Sequence, residues 1–494
     1  MTTTSVEYET VIGLETHVHL KTRSKMFCSC ERDYFHAEPN THVCPVCLGM
    51  PGMLPVINSQ AITYTILTGL ALGCRVPEHS KFDRKNYPYP DLMKGYQISQ
   101  YDQPLCLDGS LDIEVDGQQR RVHLERIHLE EDTARLLHRD GGSGDAYTLM
   151  DVNRAGVPLM EIVTRPDMGS PAEATAYLRK LRQTLRYLDV SDADMEKGSF
   201  RCDANISLRP RGAEELGAKV EIKNMNSFRA VQRALESEQR RQAQLLDASE
   251  TIEQETRGYI DATGDTFSQR SKEGAHDYRY FPEPDLPPLE VTAEVVEELR
   301  ARLPELPDAK RHRLQREHDL SPDEARVLTE TRQRADTFEQ TVALVGTGRA
   351  RTLARWLVGD VAALLNQVGA DADLEDTKLT PAHVAELIDL LEDGTITATT
   401  AKEVLIAAFD GGAMPSVIVQ ERGLRQQRDE GELDRVAASV IESNPQAVAD
   451  YRGGKDSAIE FLVGQLMRET RGRADPNVAT EVLSRQLNDS ASPE

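Results

Sequence analysis

The sequence predicts an α+β protein, with a strand-rich amino-terminal region followed by a nearly all-helical remainder. Three observations carry this. Short β-branched runs cluster between turns from residue 1 to about 290 instead of alternating regularly with helices. Phe281-Pro282-Glu283-Pro284-Asp285-Leu286-Pro287-Pro288 forms a stiff, proline-dense break. Beyond it, apolar residues recur at helical spacing. A chain of 494 residues holds roughly three domains of ordinary size. The breaks predict a first domain over 1–292, a helical linker domain over 293–410, a small helical tail domain over 411–488 and a disordered tail over 489–494.

The elements follow in order. Val11-Ile12-Gly13-Leu14-Glu15-Thr16-His17-Val18-His19 reads as a buried strand. Alternation puts Glu15, His17 and His19 on one face and Leu14, Thr16 and Val18 on the other. Further strands are predicted around Ile113–Val115, Val122–Leu124, Glu161–Val163, Ala204–Leu208 and Lys219–Ile222. Ser170 with Pro171 opens a helix to about Leu188, and a second runs from about Ser227 to Leu246. Ser321-Pro322-Asp323-Glu324 is a capping box, and Thr380-Pro381 opens a helix whose Val384, Leu387, Ile388 and Leu391 share a face. Gly411-Gly412 marks the next break. Ile459, Leu462, Val463, Leu466 and Met467 form another stripe, and Asp475-Pro476 starts a helix carrying Val478, Val482, Leu483 and Leu487. These stripes are core.

Composition narrows the class. Hydrophobic content of 39% with 28% charged residues fits a soluble globular chain. No apolar run reaches the length of about 18 residues that a membrane span needs. The start Met1-Thr2-Thr3-Thr4-Ser5-Val6-Glu7 lacks the segments of a signal peptide, which points to the cytoplasm. There the seven cysteines are thiols or metal ligands in preference to disulfides. A net charge of −24 argues against broad nucleic-acid binding, so no DNA partner is expected, while a local basic patch for tRNA stays open.

The chemistry-bearing residues are acidic. Glu and Asp stay out of apolar strands unless paired or liganded. Glu15 and His17, His128-Leu129-Glu130-Glu131-Asp132, Met160-Glu161 and Arg201-Cys202-Asp203-Ala204-Asn205 together offer hard oxygens and an imidazole, which suit Mg²⁺ or Mn²⁺. Unrelated surface ion pairs are the alternative. Arg154, Arg165, Arg201, Lys223 and Arg279 add positive charge beside acids, as a phosphoryl-transfer site requires. Cys28-Ser29-Cys30 and Cys44-Pro45-Val46-Cys47 have the spacing of a closed structural Zn²⁺ site; four free thiols are the other reading. Cys74, Cys106 and Cys202 read as core. The basic and aromatic segment Lys81–Tyr96 is either an anion-binding loop or a solvated one. No G-x-x-x-x-G-K-[ST] loop, kinase signature or nucleophile triad is present, and Gly141-Gly142-Ser143-Gly144 reads as a turn.

Five segments converge on one family. Val11–His17, Lys81-Phe82-Asp83-Arg84-Lys85-Asn86-Tyr87, His128–Asp132, Arg201–Ser207 and Asp277-Tyr278-Arg279-Tyr280-Phe281-Pro282-Glu283-Pro284-Asp285 closely resemble the B subunits of tRNA-dependent amidotransferases, over nearly the whole chain. The resemblance implies a cradle-like domain related to glutamine synthetase and guanidino kinases, followed by two all-α domains, the last touching tRNA. It implies a heterotrimer with an amidase (glutaminase) subunit and a small third subunit. It implies ATP-dependent amidation of Glu-tRNA(Gln) or Asp-tRNA(Asn), with Mg²⁺ held by Glu15, His17, Glu131, Glu161 and Asp203. Glu131, Lys85 and Lys94 are assigned to catalysis, the two lysines by match to positions near the ammonia route and the aminoacyl end. Arg154, Arg201, Asn205 and Lys223 are our expected nucleotide contacts. The zinc is a property of this sequence, since some relatives lack the cysteine pairs. In the tail, Arg452-Gly453-Gly454-Lys455 is either a tRNA-backbone contact or a plain loop. A non-catalytic tRNA scaffold and a free-standing small-molecule ligase are the competing readings.

Overall fold

The computed structural model describes residues 7–140, 146–271, 278–369, 372–426, 430–455, 457–470 and 472–489. The expected Gly141–Gly144 turn, Asp277 and the tail beyond Asp489 lie outside the described residues. The chain divides into two compact units, Met1–Leu306 and Pro307–Glu494.

The first unit is built on a nine-stranded sheet. Its order is Asp265–Ser271, Glu255–Ile260, Val220–Lys223, Phe200–Pro210, Tyr8–His19, Pro158–Thr164, Gln118–Glu131 and Cys106–Leu107, with Ser110–Val115 also paired to Gln118–Glu131. All the pairings are antiparallel except that between Val220–Lys223 and Glu255–Ile260. Tyr8–His19 is central because one of its faces is apolar. Ile12, Leu14 and Val18 share a core with Leu178, Leu181 and Leu185 of the helix Pro171–Tyr187 and with Val231, Ala234 and Leu235 of the helix Phe228–Asp247. Each of the Val, Leu and Ile side chains contributes about 1.5–3 kcal/mol on burial. Both helices begin where expected. The Ser170 hydroxyl accepts from the Glu173 amide at 3.2 Å, and the Ser227 hydroxyl from the Ala230 amide at 3.0 Å.

Two features of this unit differ from the sequence expectation. The basic segment is a hairpin, not a loop: Asp83–Asn86 pairs with Tyr96–Ser99, and Phe281–Pro282 adds a third strand. Its charge does not prevent this, because the Arg84 guanidinium is spent on Glu283 at 2.7 Å and lies 4.3 Å from the Tyr96 ring centre. The helix Ala293–Ala301 packs against Ser59–Ala71 and contributes Leu299 to the sheet's core, so the first unit extends through Leu306.

The second unit is helical, as expected. The capping boxes at Ser321 and Thr380 are both formed. One core gathers residues from Leu314 to Val419 and another gathers residues from Leu433 to Leu487. Gly412 closes the helix Ala398–Gly411 with a left-handed φ of 78°. The following helix, Pro415–Glu421, returns Ile418 and Val419 to the first of these cores. Among the described residues, no single helix is long and apolar enough to cross a membrane.

Candidate active site

Antiparallel register sets the site. Arg201, His17, Glu161 and His128 stand opposite one another in a row across four strands. Directly opposed residues share a face, so all four side chains meet on the side away from Leu14 and Val18. Glu161 Oε2 lies 3.4 Å from both His17 Nε2 and His128 Nε2. Two residues beyond His128, Glu130 joins the same face. His17, Glu130 and Glu161 each offer a donor atom within 4.8 Å of the others. Donors around an octahedral ion with bonds of about 2.1 Å stand about 3.0–4.2 Å apart, so with a small contraction these three residues could hold Mg²⁺ or Mn²⁺. The acids give the site a negative field, in which a metal ion would displace the His17 proton. Burial works to lower His17, but the Glu161 hydrogen bond and charge, with Glu130 and Asp203 behind, raise it to about 9. Burial works to raise Glu161, yet His128 and His17 hold its carboxyl well below the usual range.

Of the expected metal ligands, His17 and Glu161 come together and Glu131 does not join them. Glu131 points through the opposite face, where Lys94 Nζ lies 2.5 Å from its Oε1 and the Ile98 amide donates to it at 3.0 Å. That pair lines a second cavity of about 130 Å³ with Phe27, Cys28, Cys47 and Gly49. Glu130 takes the place assigned to its neighbour. Counting by two from His128 was the signal that would have found it. Glu15 and Asp203 are opposed one rung away. Asn205 Nδ2 donates to Glu15 at 2.9 Å, and the Lys223 ammonium bridges Asp203 and Glu221, the latter at 3.2 Å. Burial opposes the charge on Lys223, but these two acids push its pKa up.

The row faces a cleft of about 630 Å³, within the range of ligand sites. Lys85, Arg154, Arg201 and Lys223 line it together with His17, Glu130 and Asp203. The Lys85 ammonium sits 5.1 Å from the Tyr278 ring centre and 5.8 Å from that of Tyr87. Asp132, quoted in the acidic stretch but given no role of its own, organises the arginines. Its Oδ2 accepts from His19 Nε2 at 2.6 Å and Arg201 Nη2 at 2.8 Å, with Arg154 Nε at 3.5 Å. Arg154 also donates to the carbonyls of Thr133 and Ala134, each at 2.9 Å. Burial works against the Asp132 charge, but Arg201 and Arg154 hold its carboxyl far below the usual range. Two guanidinium groups on one carboxylate leave the cleft wall with net positive charge. The buried Arg201 Nε, on a residue that lines the cleft, has no hydrogen-bond partner, as fits a cleft built for a polar ligand.

The four predicted cysteines also converge, with their sulfurs within 4.8 Å of one another and Cys44 and Cys47 at 3.9 Å. Thiolates at about 2.3 Å from a tetrahedral Zn²⁺ stand about 3.8 Å apart, so this donor set fits a closed structural site. A hydrogen bond from Cys28 is the main cause holding the Cys47 thiol down at about 4, with the Lys25 ammonium assisting. Cys74, Cys106 and Cys202 are buried in the core, as expected.

A carboxylate-rich sheet facing a cationic cleft, joined to a helical region, defines a class that comparison with known proteins specifies. Residues 10–297 match the GatB/GatE catalytic domain and residues 336–487 match the GatB domain. The chain is 54% identical over 489 residues to the B subunit of the aspartyl/glutamyl-tRNA(Asn/Gln) amidotransferase of Dehalococcoides mccartyi, covering 98% of this chain and 99% of that one. It is 55% identical over 482 residues to the corresponding protein of Thermomicrobium roseum, at 98% and 99% coverage, and 51% identical over 481 residues to that of Carboxydothermus hydrogenoformans, at 97% and 99%. The chain belongs to this family, the B subunits of tRNA-dependent amidotransferases.

Proposed function

We propose that this subunit uses ATP to activate the side-chain carboxylate of Glu-tRNA(Gln) or Asp-tRNA(Asn) and then amidates it. The observation that carries the reading is the register row: His17, Glu130 and Glu161 meet on the face that Lys85, Arg154, Arg201 and Lys223 surround. A carboxylate has no leaving group better than oxide. Transfer of the γ-phosphoryl group to it, with departure of ADP, makes an acyl phosphate; ammonia attacks the acyl carbon, phosphate leaves and the nitrogen loses a proton. His17, Glu130 and Glu161 would hold Mg²⁺, with Glu15 and Asp203 one rung away. The bound ion supplies charge neutralisation at the phosphoryl oxygens. Arg154 and Arg201, fixed through Asp132, are placed to bind anionic oxygens, and Asn205 and Lys223 extend that wall. Glu131 and Lys94 lie in the smaller cavity, which suits the side from which ammonia arrives, and Lys85 lies in the cleft itself. The likeness to glutamine synthetase and guanidino kinases belongs to this reading, because those enzymes also move phosphoryl groups over a sheet of acids.

The same reading takes the four cysteines as a structural Zn²⁺ site. It places the protein in the cytoplasm, in a heterotrimer with an amidase that releases ammonia and a small third subunit. The helices beyond residue 430, with Arg452 and Lys455, are its tRNA-facing part. Reconstitution with the amidase tests the proposal, by amide formation on each mischarged tRNA with and without ATP. Glu130→Gln is expected to lose about 100-fold or more in rate, the scale of one strong electrostatic contribution, while retaining tRNA binding. A docking scaffold would keep amide formation in that variant, and such a result ends the catalytic reading.

A further inference from the structure

Lys25 is fully buried, at 0% exposure. An ammonium taken out of water is costly unless it is paired and hydrogen-bonded. Its Nζ donates to the carbonyl of His42 at 2.7 Å and of Val152 at 3.4 Å, and lies 3.8 Å from Cys47 Sγ. Of these three partners only the sulfur can carry negative charge. Four thiolates around one divalent ion leave two negative charges, so a cation beside Cys47 is what a filled site calls for.

Lys25 also spans two segments. His42 belongs to the stretch between the two cysteine pairs, whereas Val152 begins the short turn Val152–Arg154. Side-chain hydrogen bonds stitch the two together. Asn40 Oδ1 accepts from the Val152 amide at 2.8 Å, and Asn40 Nδ2 donates to the Met150 carbonyl at 3.1 Å. Asp151 Oδ1 accepts from the Asn40 amide at 3.1 Å. Asn153 Oδ1 accepts from the His42 amide at 2.8 Å, and its Nδ2 donates to the Glu38 carbonyl at 2.7 Å. Every one of these bonds depends on the path of residues 38–42, which the flanking cysteines pin. The turn they hold ends in Arg154, the guanidinium that reaches Asp132 in the cleft wall.

We propose that the four-cysteine site positions the catalytic cleft, with Lys25 as the coupling residue: it balances the thiolate charge and ties the cysteine loop to the turn that aims Arg154. This rests on the reading that the cysteines take a metal ion. A soft divalent ion such as Zn²⁺ is the ligand, and hard ions such as Mg²⁺ do not substitute for it.

The test uses the full chain loaded with Zn²⁺. Elemental analysis first measures the metal; a wild-type chain that takes up none removes the metal reading itself and the coupling with it. Given bound zinc, Lys25→Met is expected to surrender it to a chromophoric chelator about tenfold or more faster, the scale of losing an outer-shell partner. Amide hydrogen exchange at residues 152–157 is expected to accelerate in that variant, while the strand Glu255–Ile260 keeps its protection. Stripping zinc from the wild-type chain is expected to produce the same local acceleration, reversed by Zn²⁺ and not by Mg²⁺. The stripped wild-type chain decides the matter if Lys25→Met does not fold. A zinc-loaded wild type whose 152–157 amides are indifferent to metal removal overturns the coupling and leaves the metal site standing, and so does a folded Lys25→Met chain with wild-type zinc release.

Discussion

Asp132 and His19 show how one buried pair sets both stability and the charge of the cleft. Burial, with Arg201 and Arg154 nearby, lowers His19 against the pull of Asp132. The ring is therefore neutral, and its Nε2–H donates to the carboxylate. A folded value below the unfolded value of about 6.5 means that this contribution is complete above that pH and is lost as pH falls through it. Asp132, also depressed, enters only lower, below its unfolded value of about 3.9. Denaturant unfolding at a series of pH values is thus expected to show stability declining from about pH 6.5 downward. His19→Gln keeps a neutral N–H donor and is expected to flatten the slope just below about pH 6.5. An identical slope in that variant removes His19 as the group responsible. At this scale the sequence told half the story. His17 and Glu161 were legible because acids and imidazoles are costly in apolar strands. Asp132 was quoted with its acidic neighbours, but its role was not legible, because a residue at a strand end announces nothing about the arginines that converge on it from distant segments. Glu130 and Glu131 are chemically alike, and only pairing register separates them.

At the scale of elements, the strands and helix starts were the most legible part. Ser170, Ser227, Ser321 and Thr380 each cap a helix at the predicted place, since a hydroxyl meeting orphan amides is a local interaction. The hairpin Asp83–Asn86 with Tyr96–Ser99 was missed, since the Arg84–Glu283 pair that permits it spans nearly two hundred residues. The central strand works as a unit: its apolar face holds the helices and its polar face carries the candidate site. Leu14→Ala is expected to cost about 2–5 kcal/mol in stability, read from denaturant midpoints. Mn²⁺ affinity at His17, Glu130 and Glu161 is expected to persist in whatever fraction stays folded. A cost well under 1 kcal/mol would mean that this face is not the anchor its burial implies.

At the scale of the whole molecule, the alternation between sheet chemistry and helical packing was legible, but the exact seams were not. Gly411-Gly412 stops a helix without ending a core, because Pro415–Glu421 folds back onto it through residues no short window connects. The core from Leu433 onward is the natural piece to remove. A chain ending before Glu430 is expected to bind Mn²⁺ normally and tRNA more weakly, checked by calorimetry and filter binding; unchanged tRNA affinity would exclude the last helices from contact. With a net charge of −24, such a contact is expected to be local, and its salt dependence to report only a few phosphates. The neighbouring acids at 130 and 131 have a last consequence for how such an enzyme can change. One backbone serves as a party wall between two rooms, each furnished by alternate rungs. Deleting one residue ahead of them would send each carboxylate into the other's room while leaving composition almost untouched. Insertions and deletions in Gln118–Glu131 should therefore be tolerated only in pairs, or where a bulge absorbs the odd step.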